Sequence, residues 1–303
     1  MATSSFGVSD PAPRQKLYAA GFEIIENPYK RKITKKELVE LLPGVGGLIA
    51  GLELLDREVM MNSELKVISR CGSGLSNIDL GSAKELGIVI RSTPLAPVEA
   101  VAEITIGCLL LLLRQIVKAD HDLHHKAWTK VIGRQLSYMK VAVIGFGNIG
   151  KRVGQLLKAF GANVVAVDPL LSGIINDVPL VNIDEALKDS DIISLHCGGE
   201  KCLIGEREFS LMKKGVYLLN AARGDLIDET ALIRNIENGK IVGAWLDVFE
   251  QEPYEGILTQ YPQVILTPHI GSYTLECRKR METEAAENLI EEFSRLGENT
   301  YGN

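Results

Sequence analysis

The chain has 303 residues, 46% apolar and 24% charged, with a net charge of −6 and a pI near 5.5. This is a globular composition with material for about two domains, and its acidic balance excludes the usual grounds for a nucleic-acid or anionic-membrane partner. The most apolar run, Ile104 to Leu113, is far shorter than the roughly 20 residues a bilayer span needs and reads as a buried helix. No N-terminal stretch has the order of a signal peptide, so a cytoplasmic protein is expected. Five cysteines (Cys71, Cys108, Cys197, Cys202, Cys277) stand at unrelated spacings. They read as reduced, unpaired thiols, with Cys197 and Cys202 no redox or metal pair, and no metal site is predicted.

In chain order, Pro11 to Ala20 reads as helix, Phe22 to Glu26 as strand, Lys35 to Leu42 as helix and Gly47 to Gly51 as strand. Strand follows at Leu65 to Ser69, helix at Ile78 to Gly87 and strand at Ile88 to Ile90. Short β-rich runs alternating with amphipathic helices imply a parallel sheet covered on both faces. Residues 93 to 118 read as one long helix, with Pro97 in its first turn, Glu99 and Glu103 near its positive end, and Arg114 and Lys118 near its negative end. The alternation then restarts at Met139 and yields six strands, ending in VAVIG, NVVAVD, DIISLH, GVYLLN, IVGAWLD and QVILTPH, the number in a full dinucleotide-binding sheet. A last helical segment, from Thr274 to Leu296, is expected to return to the first domain. The expected fold class is α/β, with two Rossmann-like, doubly wound parallel-sheet domains and a cleft between them. Residues 1–93 plus 277–303 would form one domain and 94–276 the other.

The strand VAVIG opens into Gly145-x-Gly147-x-x-Gly150 and a helix, and Asp168 closes the next strand, 18 residues after the last glycine. That context turns a weak motif into a specific one. Gly145 permits the tight turn, Gly147 lets a pyrophosphate approach the backbone, and Gly150 allows close contact of helix and strand. Asp168 would accept hydrogen bonds from an adenosine ribose and repel a 2′-phosphate, which favours NAD over NADP.

Ligands of open α/β sheets sit outside the carboxyl ends of the strands. Polar residues gather there: His196 with Cys197, then Asn220-Ala221-Ala222-Arg223, then Asp247 with Glu252 nearby, then His269 in LTPHIGS. Arg223, Asp247, Glu252 and His269 could thus face one crevice. His196 reads as structural. An imidazole serves as acid and base near neutral pH, a carboxylate can orient it, and a guanidinium fork suits a carboxylate and a polarised carbonyl.

The stretches VAVIGFGNIG, LLNAARGDLIDETAL, GAWLDVFEQEP and LTPHIGS, with LKVISRCGSGLSNIDL and PVEAVAEITIGCLLLLLR before them, resemble the D-isomer-specific, NAD-dependent 2-hydroxyacid dehydrogenases over nearly the whole chain. Among members, RCGSG, NPY and AVAEITIG are most similar to the 3-phosphoglycerate dehydrogenase branch, which implies a place in serine biosynthesis. The resemblance implies that Arg223 holds the substrate, Glu252 is the catalytic glutamate and His269 the acid/base. It implies substrate-carboxylate contacts from backbone amides of Gly72, Ser73 and Gly74. It implies NAD contacts from Gly145, Gly147, Asn148, Ile149, Gly150, Asp168, Cys197, Ala221, Ala222, Asp247, Thr105 and Gly271. It further implies a homodimer through roughly residues 97–140 and closure about the two domain crossings.

Several positions depart from the family pattern. Ser76, not Asp, precedes Asn77, and the loop after DIISLH is Cys-Gly-Gly-Glu and shorter than the family's. The first strand looks clipped at its start. IAGLELL carries Glu53 and none of the basic residues some phosphoglycerate enzymes place near the substrate phosphate. No regulatory domain is expected after residue 303. The alternatives are a glyoxylate/hydroxypyruvate reductase and an NAD-binding corepressor-like protein without significant turnover. Glu252 argues against a formate-type dehydrogenase, which carries glutamine there.

Overall fold

The alternation of strands and helices folds into two separate parallel sheets, one in each of two compact units: Met1–Pro97 with Tyr273–Asn303, and Val98–Ser272. The computed structural model describes residues 1–3, 5–199 and 202–297. The divisions fall after 97 and 272, where the sequence pattern placed them after 93 and 276. The reason is local: each division lies just ahead of a helix, whose whole length then belongs to one unit.

The first unit contains helices α1 (Ala12–Ala19), α2 (Lys35–Leu41), α3 (Arg57–Met61) and α4 (Leu80–Glu85), and strands β1 (Gly47–Ala50), β2 (Val67–Arg70) and β3 (Val89–Ser92). The sheet is parallel in the order β1-β2-β3, with Ala50 opposite Arg70 and Arg70 opposite Ser92. Three helix starts are written into the sequence: Thr34, Asp56 and Asp79 each accept a hydrogen bond from the backbone two or three positions into the next helix. Thr34 and Glu37 complete a reciprocal capping box. Leu38, Leu42, Leu48, Leu55, Val59 and Ile68 fill the core between these helices and the sheet.

Phe22 to Glu26 is not a strand. Its one ladder contact is a bridge from Glu26 to Ala2, and Ala2 in turn bridges Ile49 of β1. The segment lies outside a one-residue rung, so it has no continuous partner, and Ile25 is left exposed while Phe22 packs edge-on against Phe293.

The second unit begins with α5 (Val98–Arg114) and α6 (Ile116–His124). The single helix expected over 93–118 is therefore two, bent by 63°. Gln115 between them is left-handed, with φ 50° and ψ 40°, and this breaks the run of backbone bonds. Among the described residues no single helix is long and apolar enough to cross a membrane.

There follow β4 (Lys140–Ile144), α7 (Asn148–Ala159), β5 (Asn163–Val167), the two-residue strands β6 (Ile174–Ile175) and β7 (Val178–Pro179), α8 (Ile183–Asp189), β8 (Ile192–Leu195), α9 (Glu206–Leu211), β9 (Val216–Asn220), α10 (Glu229–Glu237), β10 (Ile241–Leu246) and β11 (Val264–Leu266). Six of these strands form a parallel sheet in the order β11-β10-β9-β8-β4-β5. Beyond β5, Leu180 adds a single parallel bridge to Ala166. With Leu180 counted as a one-residue third strand, the chain numbers across the sheet extend the dinucleotide-binding order 3-2-1-4-5-6 by one strand.

The faces of the sheet alternate residue by residue. Val141, Val143, Ile192 and Trp245 pack with Leu109 of α5 and Leu157 of α7, while Ala142, Ile144, Ile193 and Leu246 pack with Leu187, Phe209 and Leu232 of the other helices. Period-two strands buried on both faces make the doubly wound arrangement. Helix α11 (Leu275–Arg295), capped by Thr274, returns to the first unit, where Asn288 donates to Ser69 and to the Ser92 carbonyl.

Candidate active site

The order in which the chain adds strands to the parallel sheet of the second unit reverses between β4 and β8, and the loops that leave these strands meet. A Cβ on Gly145 would lie 2.5 Å from the Cys197 nitrogen, and Gly145 sits at φ +89°. Gly150 is fixed by packing, since a Cβ there would fall 2.0 Å from the Gly145 carbonyl oxygen. Gly147 is different. Its backbone suits any residue (φ −74°), and among the described residues no atom beyond its own stretch of chain lies within 4 Å of where its Cβ would be. Nothing in the protein demands glycine there, so the open space fits an approaching ligand. Gly147 caps α7 with no side-chain hydrogen bond, which leaves the amides of its first turn, at Asn148 and Ile149, to an anion. Asp168, at the end of β5, accepts from the Phe146 amide at 2.9 Å and the Leu170 amide at 3.0 Å, which ties the glycine loop to the neighbouring strand. These residues fit the pyrophosphate and ribose of a dinucleotide.

Next along the sheet, Asn220, Leu246 and Leu266 end β9, β10 and β11 at one level, in register. Asn220 shapes the first of the three loops: its Oδ1 accepts from the Ala222 amide at 3.0 Å and its Nδ2 donates to the Arg223 carbonyl at 2.8 Å. Arg223 is half-buried, and its Nη1 donates to the Ala222 carbonyl at 2.6 Å. A Cβ on Gly224 would lie 1.9 Å from the Phe249 carbonyl carbon, so only glycine lets this loop press against the one that carries Glu252.

Glu252 is held by the Phe249 amide at 3.1 Å, and His269 Nδ1 stands 3.0 and 3.2 Å from its two carboxylate oxygens. Both side chains are about a quarter exposed, at 29% for His269 and 25% for Glu252. A carboxylate only accepts, so Nδ1 carries the proton, and Nε2 is the ring atom left to give or take one. His269 itself is left-handed, with φ 54°, a costly conformation for a side-chain-bearing residue that the surrounding hydrogen bonds impose.

Those bonds come from Asp247. Its Oδ1 accepts from the Thr267 hydroxyl at 2.6 Å and the Ile270 amide at 2.9 Å, and its Oδ2 from the Gly271 amide at 2.7 Å. The Trp245 indole donates to the same Thr267 hydroxyl at 3.0 Å. Burial raises the Asp247 carboxyl above its ordinary pKa, opposed by these three donors and by His269. Gly271 is required here, because a Cβ would come within 2.9 Å of Asp247 Oδ2.

Of the remaining predicted residues, Thr105 is buried and its hydroxyl donates to the Val101 carbonyl within α5. Cys197 is half-buried with its thiol pushed up by burial. Ala222 is buried and Ala221 half-buried. His196 bonds Ser194 at 2.8 Å, and burial lowers its pKa to about 4, so the ring is neutral near pH 7. Part of the shortened loop after it, Glu200 and Lys201, lies outside the described residues. In the first unit, Gly72 (φ +141°) donates to the Thr93 hydroxyl at 2.8 Å, and a Cβ there would strike the Arg70 guanidinium. Sequence reasoning named Asn220 only within the run that follows β9 and gave Thr267 and Gly224 no task of their own. Their signal was adjacency to the strand ends, and only the contacts give them a task.

This fold and this arrangement of glycine loop, acidic strand end and histidine–carboxylate pair define a nicotinamide-dinucleotide oxidoreductase of the doubly wound α/β class. Residues 106–271 match the family described as D-isomer specific 2-hydroxyacid dehydrogenase, NAD binding domain. A hydroxypyruvate reductase of Thermotoga maritima is 34% identical, covering 96% of this chain and 99% of that protein. A D-3-phosphoglycerate dehydrogenase of Sus scrofa is 31% identical over 93% of this chain, which spans 54% of that longer protein. The crystal structure of a glyoxylate reductase from Paecilomyes thermophila, 30% identical, superposes with a TM-score of 0.87 and covers 98% of this chain and 95% of that one. The chain belongs to the D-isomer-specific 2-hydroxyacid dehydrogenases. It is an NAD-dependent enzyme interconverting 2-hydroxy and 2-keto acids.

Proposed function

We propose that His269 is the acid/base of this reaction, with Glu252 orienting it and Arg223 binding the substrate's carboxylate and carbonyl, and that the substrate is a small 2-keto acid such as hydroxypyruvate or glyoxylate. The reading rests above all on the Nδ1–carboxylate contact at 3.0 Å, which leaves His269 Nε2 to move a proton. NADH, when bound, supplies the hydride. The ketone oxygen then gains negative charge; Nε2 delivers a proton to it, and in the reverse direction removes one from the alcohol. Glu252 holds the ring in place during that step, and the Arg223 fork stabilises the developing charge.

The other assignments follow the family resemblance. The Val98–Ser272 unit is the NAD-binding domain and the Met1–Pro97/Tyr273–Asn303 unit the substrate domain. Backbone amides of Gly72, Ser73 and Gly74 take the substrate carboxylate. Gly145, Gly147, Asn148, Ile149, Gly150, Asp168, Cys197, Ala221, Ala222, Asp247, Thr105 and Gly271 line the cofactor, with Asp168 on the adenosine ribose favouring NAD over NADP. The chain works as a cytoplasmic homodimer through residues 97–140, without nucleic acid or membrane.

A 3-phosphoglycerate dehydrogenase in serine biosynthesis is the second reading, favoured by the RCGSG stretch and the similarity to the Sus scrofa enzyme. Replacement His269→Gln tests the assignment: keto-acid turnover should fall by about 10²–10⁴-fold while NADH still binds. Normal turnover by that variant overturns it.

A further inference from the structure

The carboxyl edge of the β1-β2-β3 sheet is where a ligand of the first unit is expected. There β1 runs into Gly51-Leu52-Glu53, and β2 runs into the Cys71–Gly74 loop assigned to the substrate carboxylate. The register sets Ala50 beside Arg70, so the two loops leave adjacent strands, and the Asn77 amide donates to the carbonyls of Gly51 (3.2 Å) and Glu53 (2.6 Å).

Glu53 is only 4% exposed. Its Oε1 accepts from the Thr3 hydroxyl at 2.5 Å and the Gly51 amide at 2.9 Å. Among the described residues no lysine or arginine pairs with it, and no donor reaches Oε2. No basic residue stands anywhere from Gly47 to Asp56. A buried carboxylate without a cation is expensive. Two donors are committed to fixing Oε1, which leaves Oε2 without a hydrogen bond among the described residues, on the loop that leaves the carboxyl edge of β1. Flanking Leu52 and Leu54 are exposed and add no competing polar group.

We propose that Glu53 determines substrate specificity: Oε2 accepts a hydrogen bond from a hydroxyl on the third carbon of the 2-keto acid and repels a phosphate placed there. The favoured substrates are then unphosphorylated 3-hydroxy-2-keto acids. A hydroxyl donating to a carboxylate is a strong, short bond, whereas a phosphate dianion at the same position meets a carboxylate of like sign with no cation paired to it among the described residues. The inference rests on the keto-acid reductase reading above and narrows its substrate.

The test compares kcat/KM for hydroxypyruvate, pyruvate and phosphohydroxypyruvate with NADH in the native enzyme and in Glu53→Gln, which keeps the shape and removes the charge. The native enzyme should prefer hydroxypyruvate to its phosphate ester by at least about tenfold, and to pyruvate likewise. In Glu53→Gln the ratio of phosphohydroxypyruvate to hydroxypyruvate should rise at least about tenfold, with unchanged NADH affinity as the check on folding. An active variant with the native ratio overturns the role of Glu53 and leaves the reductase reading standing. A native enzyme that prefers the phosphorylated acid overturns it whether or not the variant folds. A native enzyme that reduces none of the three overturns the reductase reading and this inference with it.

Discussion

Asp247 is the residue on which the candidate site turns, though it touches neither ring nitrogen of His269. Three donors converge on its two oxygens and force His269 into a left-handed conformation facing Glu252. Asparagine would keep the size but replace one accepting oxygen by an amide that meets a backbone N–H. Asp247→Asn should therefore cost about 1–3 kcal/mol of stability through the unmade bond and lower kcat by more than tenfold. Denaturant unfolding and turnover measured together check this, and native values for both would show that the loop holds itself. From sequence, Asp247 was assigned a place beside the cofactor. That its carboxylate also builds the loop of His269 was illegible, because its partners Thr267, Ile270 and Gly271 lie 20 to 24 residues away in the chain.

At the scale of elements, the glycine loop and α7 separate the two reasons a glycine is kept. Gly145 and Gly150 are demanded by contacts inside the protein; Gly147 is demanded by none. Gly147→Ala should then fold with the native melting temperature, because its φ of −74° accepts a side chain, yet bind NADH at least about tenfold more weakly as the methyl occupies the approach of the phosphates. Titration of protein fluorescence with NADH tests it, and unchanged affinity would remove the pyrophosphate from that position. The strands and helices of this unit were legible from the sequence because their apolar period and their caps are local. Two elements were not. The break at Gln115 falls inside an uninterrupted helical pattern, with neither glycine nor proline to mark it. The Phe22–Glu26 run has strand composition but no continuous neighbour to pair with.

At the scale of the whole molecule, the segment after α6 carries large apolar side chains in the open: Trp128 is 81% and Ile132 95% exposed. Large apolar side chains this exposed suit an association surface, which supports the proposed homodimer. Ile132→Arg together with Trp128→Glu should convert a dimer to a monomer in light scattering while leaving the melting transition of the unit intact. A dimer that survives both changes rules out this surface. The five cysteines form no disulfide within the chain.

The sequence by itself determined the class of fold, the two-part organisation, the dinucleotide fingerprint and the candidate histidine, glutamate and arginine, because each is a local pattern or a residue type placed at a strand end. Only the tertiary structure decided which oxygen faces which donor. The pairing of His269 with Glu252, the bracing of their loops by Asp247 and Gly224, and the isolation of the Glu53 carboxylate all arise where loops from different strands arrive at one sheet edge. Those contacts depend on strand order and register, which are set by packing both faces of a sheet at once and not by any one segment.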